Sequence, residues 1–258
     1  MEYEIKQEEK FRFIEEGDGE PLVLLHGLFG ALSNFVDLIE YFRNHYKVVV
    51  PILPLFELDL LHSTVGGLQK FVHRFIEFRN YKNLHLLGNS LGGHVALLHV
   101  LKHPERIKSI ILTGSSGLFE SGMGDSYPKR RDYDYIKKKT ELTFYDPGIA
   151  SKELVDEVYE IVNNRLKALK IIALAKSAIR NNLGEELNQI QQPALLIWGN
   201  NDAITPPFVG REFQRLIPNS ELHLVDKCGH APMMEVPDEF NNILHKFLKR
   251  LNEPATVA

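Results

Sequence analysis

Short apolar runs punctuate the chain at residues 21–25 (PLVLL), 47–50 (KVVV), 83–87 (NLHLL), 109–113 (SIILT), 194–198 (ALLIW) and 221–225 (ELHLV). Most are too continuously hydrophobic for a half-exposed sheet, which predicts strands buried on both faces. Between them, longer stretches with helical spacing fall at about 35–43, 65–78, 91–102, 208–216 and 238–249. Strand and helix in regular alternation predict an α/β fold, a mostly parallel sheet with helices on both faces. Residues 10–15 and 21–25, on either side of Gly17-Asp18-Gly19, predict an antiparallel hairpin that starts the sheet. One stretch breaks the rhythm. From 118 to 187 no strand is legible, and in 154–169 the apolar positions Leu154, Val155, Val158, Ile161, Val162, Leu166 and Leu169 follow a period of 3.6. Seventy residues are too long for a connecting loop. The expected organisation is a core of residues 1–117 and 188–258, with 118–187 forming a helical cap over one end of the sheet.

Composition narrows the class. In 258 residues, 44% are hydrophobic and 25% charged, a globular balance that excludes disorder. The formal net charge of −4 supplies no electrostatic reason to expect nucleic acid or an anionic membrane surface as partner. A single cysteine, Cys228, allows no internal disulfide and no cysteine-rich zinc site. Residues 1–6 lack the apolar stretch of a secretory signal, and no run of about 18 apolar residues is present. The expectation is a soluble, cytoplasmic protein that takes a small-molecule substrate and needs neither metal nor organic cofactor.

The strongest chemical signal is Gly88-Asn89-Ser90-Leu91-Gly92, directly after one apolar run and directly before an apolar helix. This is G-x-S-x-G in a strand–turn–helix setting, where a sharp turn exposes the serine and side chains at the glycines would collide with the adjacent strand and helix. A serine hydroxyl is a weak nucleophile that needs a base, itself held by a third group. His230 follows the run 221–225 in CGHAP, and Asp202 follows 194–198 in WGNNDAITP. Each residue alone has a bland reading: Asp202 as a helix cap, His230 as an ordinary loop histidine. Together with Ser90 they sit past the carboxyl ends of three predicted strands, where open α/β sheets place their sites, in the order Ser–Asp–His.

Acyl transfer also needs two N–H donors aimed at the developing oxyanion. Leu91 supplies one and the loop His26-Gly27-Leu28-Phe29-Gly30 the other, assigned to Leu28. Phe29 either lines the pocket or packs in the core. His99 and His103 are spaced i, i+4 without the further ligands a metal site requires. The basic stretches 129–131 and 137–139, interleaved with Asp132 and Asp134, read as solvated surface. Cys228 has no role in this chemistry.

With these residues in view the chain resembles the α/β-hydrolase superfamily, through HGLFG (26–30), GNSLGG (88–93), WGNNDAITP (198–206) and CGHAP (228–232). The resemblance spans the whole chain and implies an eight-stranded sheet with a cap between strands 6 and 7. It further implies Ser90 as nucleophile, His230 as base and then acid, Asp202 as orienting carboxylate, and an acyl-enzyme intermediate. Within the superfamily the chain is similar to capped esterases and to meta-cleavage-product (C–C bond) hydrolases. Asn89 and the stretch from Phe144-Tyr145-Asp146-Pro147 point to the latter. That resemblance makes Arg165 a candidate for binding a substrate carboxylate, the other reading being a solvated helix residue, and Phe29, Asn89 and Ala231 are further substrate-binding candidates. Ala231, where that group has an aromatic residue, and the glycine-poor HGLFG loop point to small esterases instead. After 47–50 the superfamily has a loop rich in glycine; here it reads Pro51-Ile52-Leu53-Pro54-Leu55-Phe56-Glu57-Leu58-Asp59, either a reshaped pocket wall or a drifted turn. The leading expectation is a carboxylic-ester hydrolase for small to medium apolar esters. The alternatives are a C–C hydrolase of dienoates and a small-molecule receptor on the same fold.

Overall fold

The computed structural model describes residues 3–29, 33–119 and 129–253. Gly30, at the end of the HGLFG motif, and residues 120–128 of the expected cap lie outside the described residues. Eight strands form one sheet: β1 (Lys6–Glu8), β2 (Phe11–Glu16), β3 (Pro21–Leu25), β4 (Lys47–Pro51), β5 (Leu84–Asn89), β6 (Ile107–Thr113), β7 (Ala194–Gly199) and β8 (Ser220–Val225). Their order is β1-β2-β4-β3-β5-β6-β7-β8. From β4 to β8 all neighbours are parallel, and β2, antiparallel to both β1 and β4, is the one strand that runs against the rest.

The expected hairpin does not form. β2 pairs with β1 and with β4, and β4 lies between β2 and β3. The reason lies in the 17–19 turn. Gly17 has φ +75°, and a Cβ there would stand 2.1 Å from the Arg43 carbonyl and 2.5 Å from that of Tyr46. The turn therefore arches over the backbone that leads into β4, and the Lys47 N–H bonds to the Glu20 carbonyl at 3.1 Å. A hairpin turn and a turn that admits a third strand share the same glycine-rich composition.

Alternation along each strand divides the core in two. Val23, Leu25, Leu86, Ile110, Leu112, Leu196 and Trp198 face one cluster, with α2 (Val65–Phe78), α3 (Leu91–Lys102) and α7 (Pro207–Leu216) packed on it. Leu22, Leu24, Leu87, Ile111, Leu195 and Ile197 face the other, with α1 (Val36–Phe42), the short α8 (Pro232–Glu235) and α9 (Pro237–Asn252). Period-2 burial on both faces explains the unbroken apolar runs. α3 is buried from Leu91 through Val100, the pattern of a helix enclosed on all sides.

Between β6 and β7 the chain runs through α4 (Tyr133–Glu141), α5 (Lys152–Asn163) and α6 (Arg165–Arg180), with no strand among the described residues. Each helix opens on a side-chain cap: Asp132 for α4, Ser151 for α5 and Asn164 for α6. Such caps satisfy first-turn N–H groups at about 1 kcal/mol each. Parallel register aligns the carboxyl ends of the central strands, with Leu25 opposite Gly88, Asn89 opposite Thr113 and Gly199 opposite Val225. The loops that follow β3, β5, β6, β7 and β8 therefore open at one end of the sheet.

Candidate active site

Ser90 joins β5 to α3 with φ 54° and ψ −120°, a backbone conformation costly for any residue with a side chain. Its N–H donates to the Thr113 carbonyl at 3.1 Å, and its carbonyl accepts from Ser116 N–H at 3.1 Å and from Gly93 N–H at 3.0 Å. The turn has no room for side chains at its glycines. A Cβ on Gly92 would lie 2.0 Å from the Leu25 carbonyl oxygen, and one on Gly88 would lie 2.5 Å from the Gly93 Cα. The sharp bend is thus enforced by neighbouring backbone.

His230 and Asp202 meet as a buried pair. The His230 Nδ1 stands 2.9 Å from Asp202 Oδ2, and both residues are buried. The carboxylate also accepts from the N–H groups of Ile204 (2.8 Å) and Thr205 (2.9 Å) and from the Thr205 hydroxyl (2.9 Å). Four donors converge on one carboxylate, which offers only acceptors when ionised, so Nδ1 carries the ring proton and donates. Trp198 braces this loop by donating from Nε1 to the Thr205 carbonyl at 2.8 Å.

The β6 loop carries the serine and histidine regions together. Gly114, with φ +51°, leaves no space for a Cβ, which would fall 2.8 Å from His230 Nδ1. The Asn89 amide donates to the Thr113 carbonyl at 3.0 Å and to the His230 carbonyl at 3.2 Å. Asn89, set out as a substrate-binding candidate, is buried and spends both donors on this backbone clamp.

Leu28 and Leu91 are buried in the same core cluster, and Leu91 opens α3, where first-turn N–H groups have no partner within the helix. Phe29 is half-buried against both the main cluster and a small one formed by Ile136, Val158 and Val162 of α4 and α5. Ala231 packs into the opposite core with Cys228 and Met233. Arg165 is exposed at the first turn of α6, and the buried cation of that helix is Lys170.

The Pro51–Asp59 stretch, unreadable from its composition, has a definite place. His26 accepts from the Leu53 N–H through Nε2 at 3.0 Å, so its Nδ1–H donates to the Gly27 carbonyl at 2.8 Å. Full burial holds the His26 pKa below the usual imidazole value, which keeps the ring neutral. Lys170 Nζ donates to the Phe56 carbonyl at 2.6 Å. The stretch thus links the loop after β3 to α6.

Three further groups, Thr143, Glu235 and His94, tie the β6–β7 connection to the site, and no motif announced them. The His230 N–H donates to the Thr143 carbonyl at 2.8 Å. Glu235 accepts from Gly229 N–H at 2.8 Å on one oxygen and from Tyr145 N–H at 2.7 Å on the other, while burial pushes its pKa up. His94, lowered to about 4 chiefly by burial, pairs through Nε2 with Asn181 Oδ1 at 3.1 Å. Thr205, which braces Asp202 from the loop after β7, did have a legible signal, an Asp followed three residues on by Thr, the spacing of a local side-chain turn. Burial pushes the Cys228 thiol far up, which makes it inert.

Among the described residues no group of three or more His, Cys, Asp or Glu side chains is arranged to hold a metal, and no helix is long and apolar enough to cross a membrane.

A sheet of this order, with a strained serine and a histidine–carboxylate pair at the carboxyl ends of its strands, belongs to a hydrolytic class of α/β proteins. The model of the alpha/beta hydrolase family matches residues 22–243, and the chain belongs to that family. It is 30% identical to a 2-hydroxy-6-oxononadienedioate/2-hydroxy-6-oxononatrienedioate hydrolase of Burkholderia vietnamiensis, over 93% of this chain and 91% of that protein. It is 24% identical to Lipase 1 of Psychrobacter immobilis, over 90% of this chain and 78% of that protein. Among solved structures, MGS-MChE2, an alpha/beta hydrolase enzyme from the metagenome of Mar Chica lagoon sediments, superposes with a TM-score of 0.81. It is 43% identical, over 97% of this chain and all of that one.

Proposed function

We propose that this chain is a serine hydrolase that cleaves small to medium apolar carboxylic esters through an acyl-enzyme, with residues 118–187 as a cap over the site. Ser90 Oγ attacks the acyl carbon and passes its proton to His230 Nε2, the ring nitrogen left once Nδ1 is engaged by Asp202. The N–H groups of Leu28 and Leu91 hold the oxyanion. The tetrahedral intermediate expels the alcohol, which leaves with the proton from His230. Water then gives a proton to His230, attacks the acyl carbon and releases the acid and Ser90. The observation that carries this reading is the buried Asp202–His230 pair clamped, through Asn89 and Gly114, to the same backbone that holds the strained Ser90.

An ester is favoured over a dienoate acid because Arg165 is exposed and Ala231 lies in the core. C–C hydrolysis is the second reading, favoured by the 30% identity to an enzyme of that reaction. The test is a rate profile on p-nitrophenyl esters from acetate to laurate, with a meta-cleavage dienoate in parallel and Ser90→Ala as control. Ester turnover is expected at short or medium chain length, with kcat lower by on the order of 10⁶-fold in the variant. Ser90-dependent turnover of the dienoate alone would replace the ester reading with the C–C reading. Turnover of neither would leave a receptor.

A further inference from the structure

α6 has more apolar surface than its packing uses. Its inner side places Ile171, Leu174 and Ala178 in the main core. Its outer side presents Arg165, Leu166, Leu169, Ile172, Lys176, Ile179 and Arg180, all exposed. At about 100° per residue these seven fall within a single arc of the helix. The four aliphatic side chains in the arc are each 45–55% exposed. Next to this face, the turn tied to α6 through Phe56–Lys170 and Val65–Ser177 exposes Leu60 and Leu61 as well.

The charge on the same face has one sign. No Asp or Glu occurs between Glu160 and Glu185, while Arg165, Lys167, Lys170, Lys176 and Arg180 do. Lys167 lies over the Phe56 ring and Lys170 bonds to the Phe56 carbonyl, so these two are spent internally. Arg165, Lys176 and Arg180 form no ion pair among the described residues. The basic stretch 129–131 joins the same end, since Asn163 and Tyr159 donate to the carbonyls of Arg130 and Arg131. Acidic groups on the neighbouring elements are Glu57 and Asp59 on the Phe56 turn, Asp59 pairing with His62, and Glu157 and Glu160 on α5, Glu157 facing Lys167.

We infer that the outer face of α6, with Leu60 and Leu61, docks on an anionic lipid surface. Half-exposed aliphatics interleaved with unpaired arginine and lysine are what the interface of an anionic bilayer accepts. The side chains enter the acyl boundary while the long cations reach the headgroups. A second copy fits less well, because a two-fold contact would set Arg165, Lys176 and Arg180 against the same three cations. The net charge of the whole chain hides this face by averaging. The inference is independent of the reaction at Ser90.

The test is co-sedimentation of the full chain with vesicles of phosphatidylcholine alone and of phosphatidylcholine with one-third phosphatidylglycerol. Partitioning is expected to be at least about ten-fold stronger on the anionic vesicles and to weaken as salt is raised. Combined Arg165→Gln, Lys176→Gln and Arg180→Gln should cost about five-fold per charge, on the order of a hundred-fold together. Combined Leu169→Ser, Ile172→Ser and Ile179→Ser should weaken binding while leaving its salt dependence. Circular dichroism checks the fold of each variant, and if one fails to fold, the lipid and salt dependence of the unaltered chain decide. Absence of binding, equal binding to both vesicles, or binding unchanged in both variants overturns the inference. So does a dimer that the serine variant dissolves, which would assign the face to a second copy.

Discussion

Around Ser90, backbone meets backbone. The missing side chains of Gly88, Gly92 and Gly114 are the space that the turn, β3 and His230 occupy. The β6–β7 connection is held quite differently: Ile171, Leu174 and Ala178 of α6 pack into the main core, and isolated polar contacts at Phe56, Val65, His94, Thr143 and Tyr145 add to that packing. The difference teaches where tolerance lies. A close backbone approach has no alternative arrangement, whereas side-chain packing supplemented by isolated hydrogen bonds can lose one member at a time.

The sharpest way to break the comparison is chemical. Asp202→Asn should lower kcat on the order of 10⁴-fold, because the amide no longer demands a proton on His230 Nδ1; a steady-state kcat within ten-fold of the original would remove Asp202 from its role. Gly92→Ala comes next. Its Cβ would meet the Leu25 and His26 carbonyls, and a loss of at least about 3 kcal/mol is expected in urea unfolding. A loss below about 1 kcal/mol would mean that the turn can relax. In the connection, Lys170→Met should cost about 2 kcal/mol, the value of a charge-assisted hydrogen bond with its stem still packed. If it costs as much as Gly92→Ala, the two regions are not different in kind.

Acid supplies the gentlest probe. Burial, the leading cause in each case, lowers His94 to about 4 and His99 to about 3. Below the unfolded value near 6.5 the unfolded chain takes up protons that the folded chain refuses. The stability these neutral rings allow is therefore complete above about pH 6.5 and is lost as pH falls toward 3–4. Each ring accounts for up to roughly 2 kcal/mol by pH 5. His99→Leu should make the decline between pH 7 and 5 shallower in urea titrations; an unchanged slope would show that His99 is not excluded from protonation.

Much of this was legible from pattern. The six apolar runs are six strands, and α2 and α3 begin and end where their periodicity does, because burial on defined faces writes itself into residue type. β1, whose residues are Lys6-Gln7-Glu8, carried no such mark, since an edge strand this polar pairs through backbone alone. The 17–19 turn misled because its glycines serve the passage of β4 as well as they would a hairpin. At the site, Ser90, Asp202 and His230 stood out by their places after strands. Glu235, Lys170 and His94 did not, because their meaning comes from which stretch of the β6–β7 connection packs beside them. Their partners, the Tyr145 N–H, the Phe56 carbonyl and Asn181, follow from no spacing rule.

The Thr143–Tyr145 contacts have a mechanical consequence. One carbonyl of the connection holds the N–H of His230, and one of its N–H groups shares the Glu235 carboxylate with Gly229. On this side the connection is a latch fastened to His230, the base of the proposed mechanism, so swinging it open there breaks the bond that holds the His230 N–H. At the α6 end the corresponding bolt is the bond from Lys170 to the Phe56 carbonyl, which touches neither His230 nor Asp202.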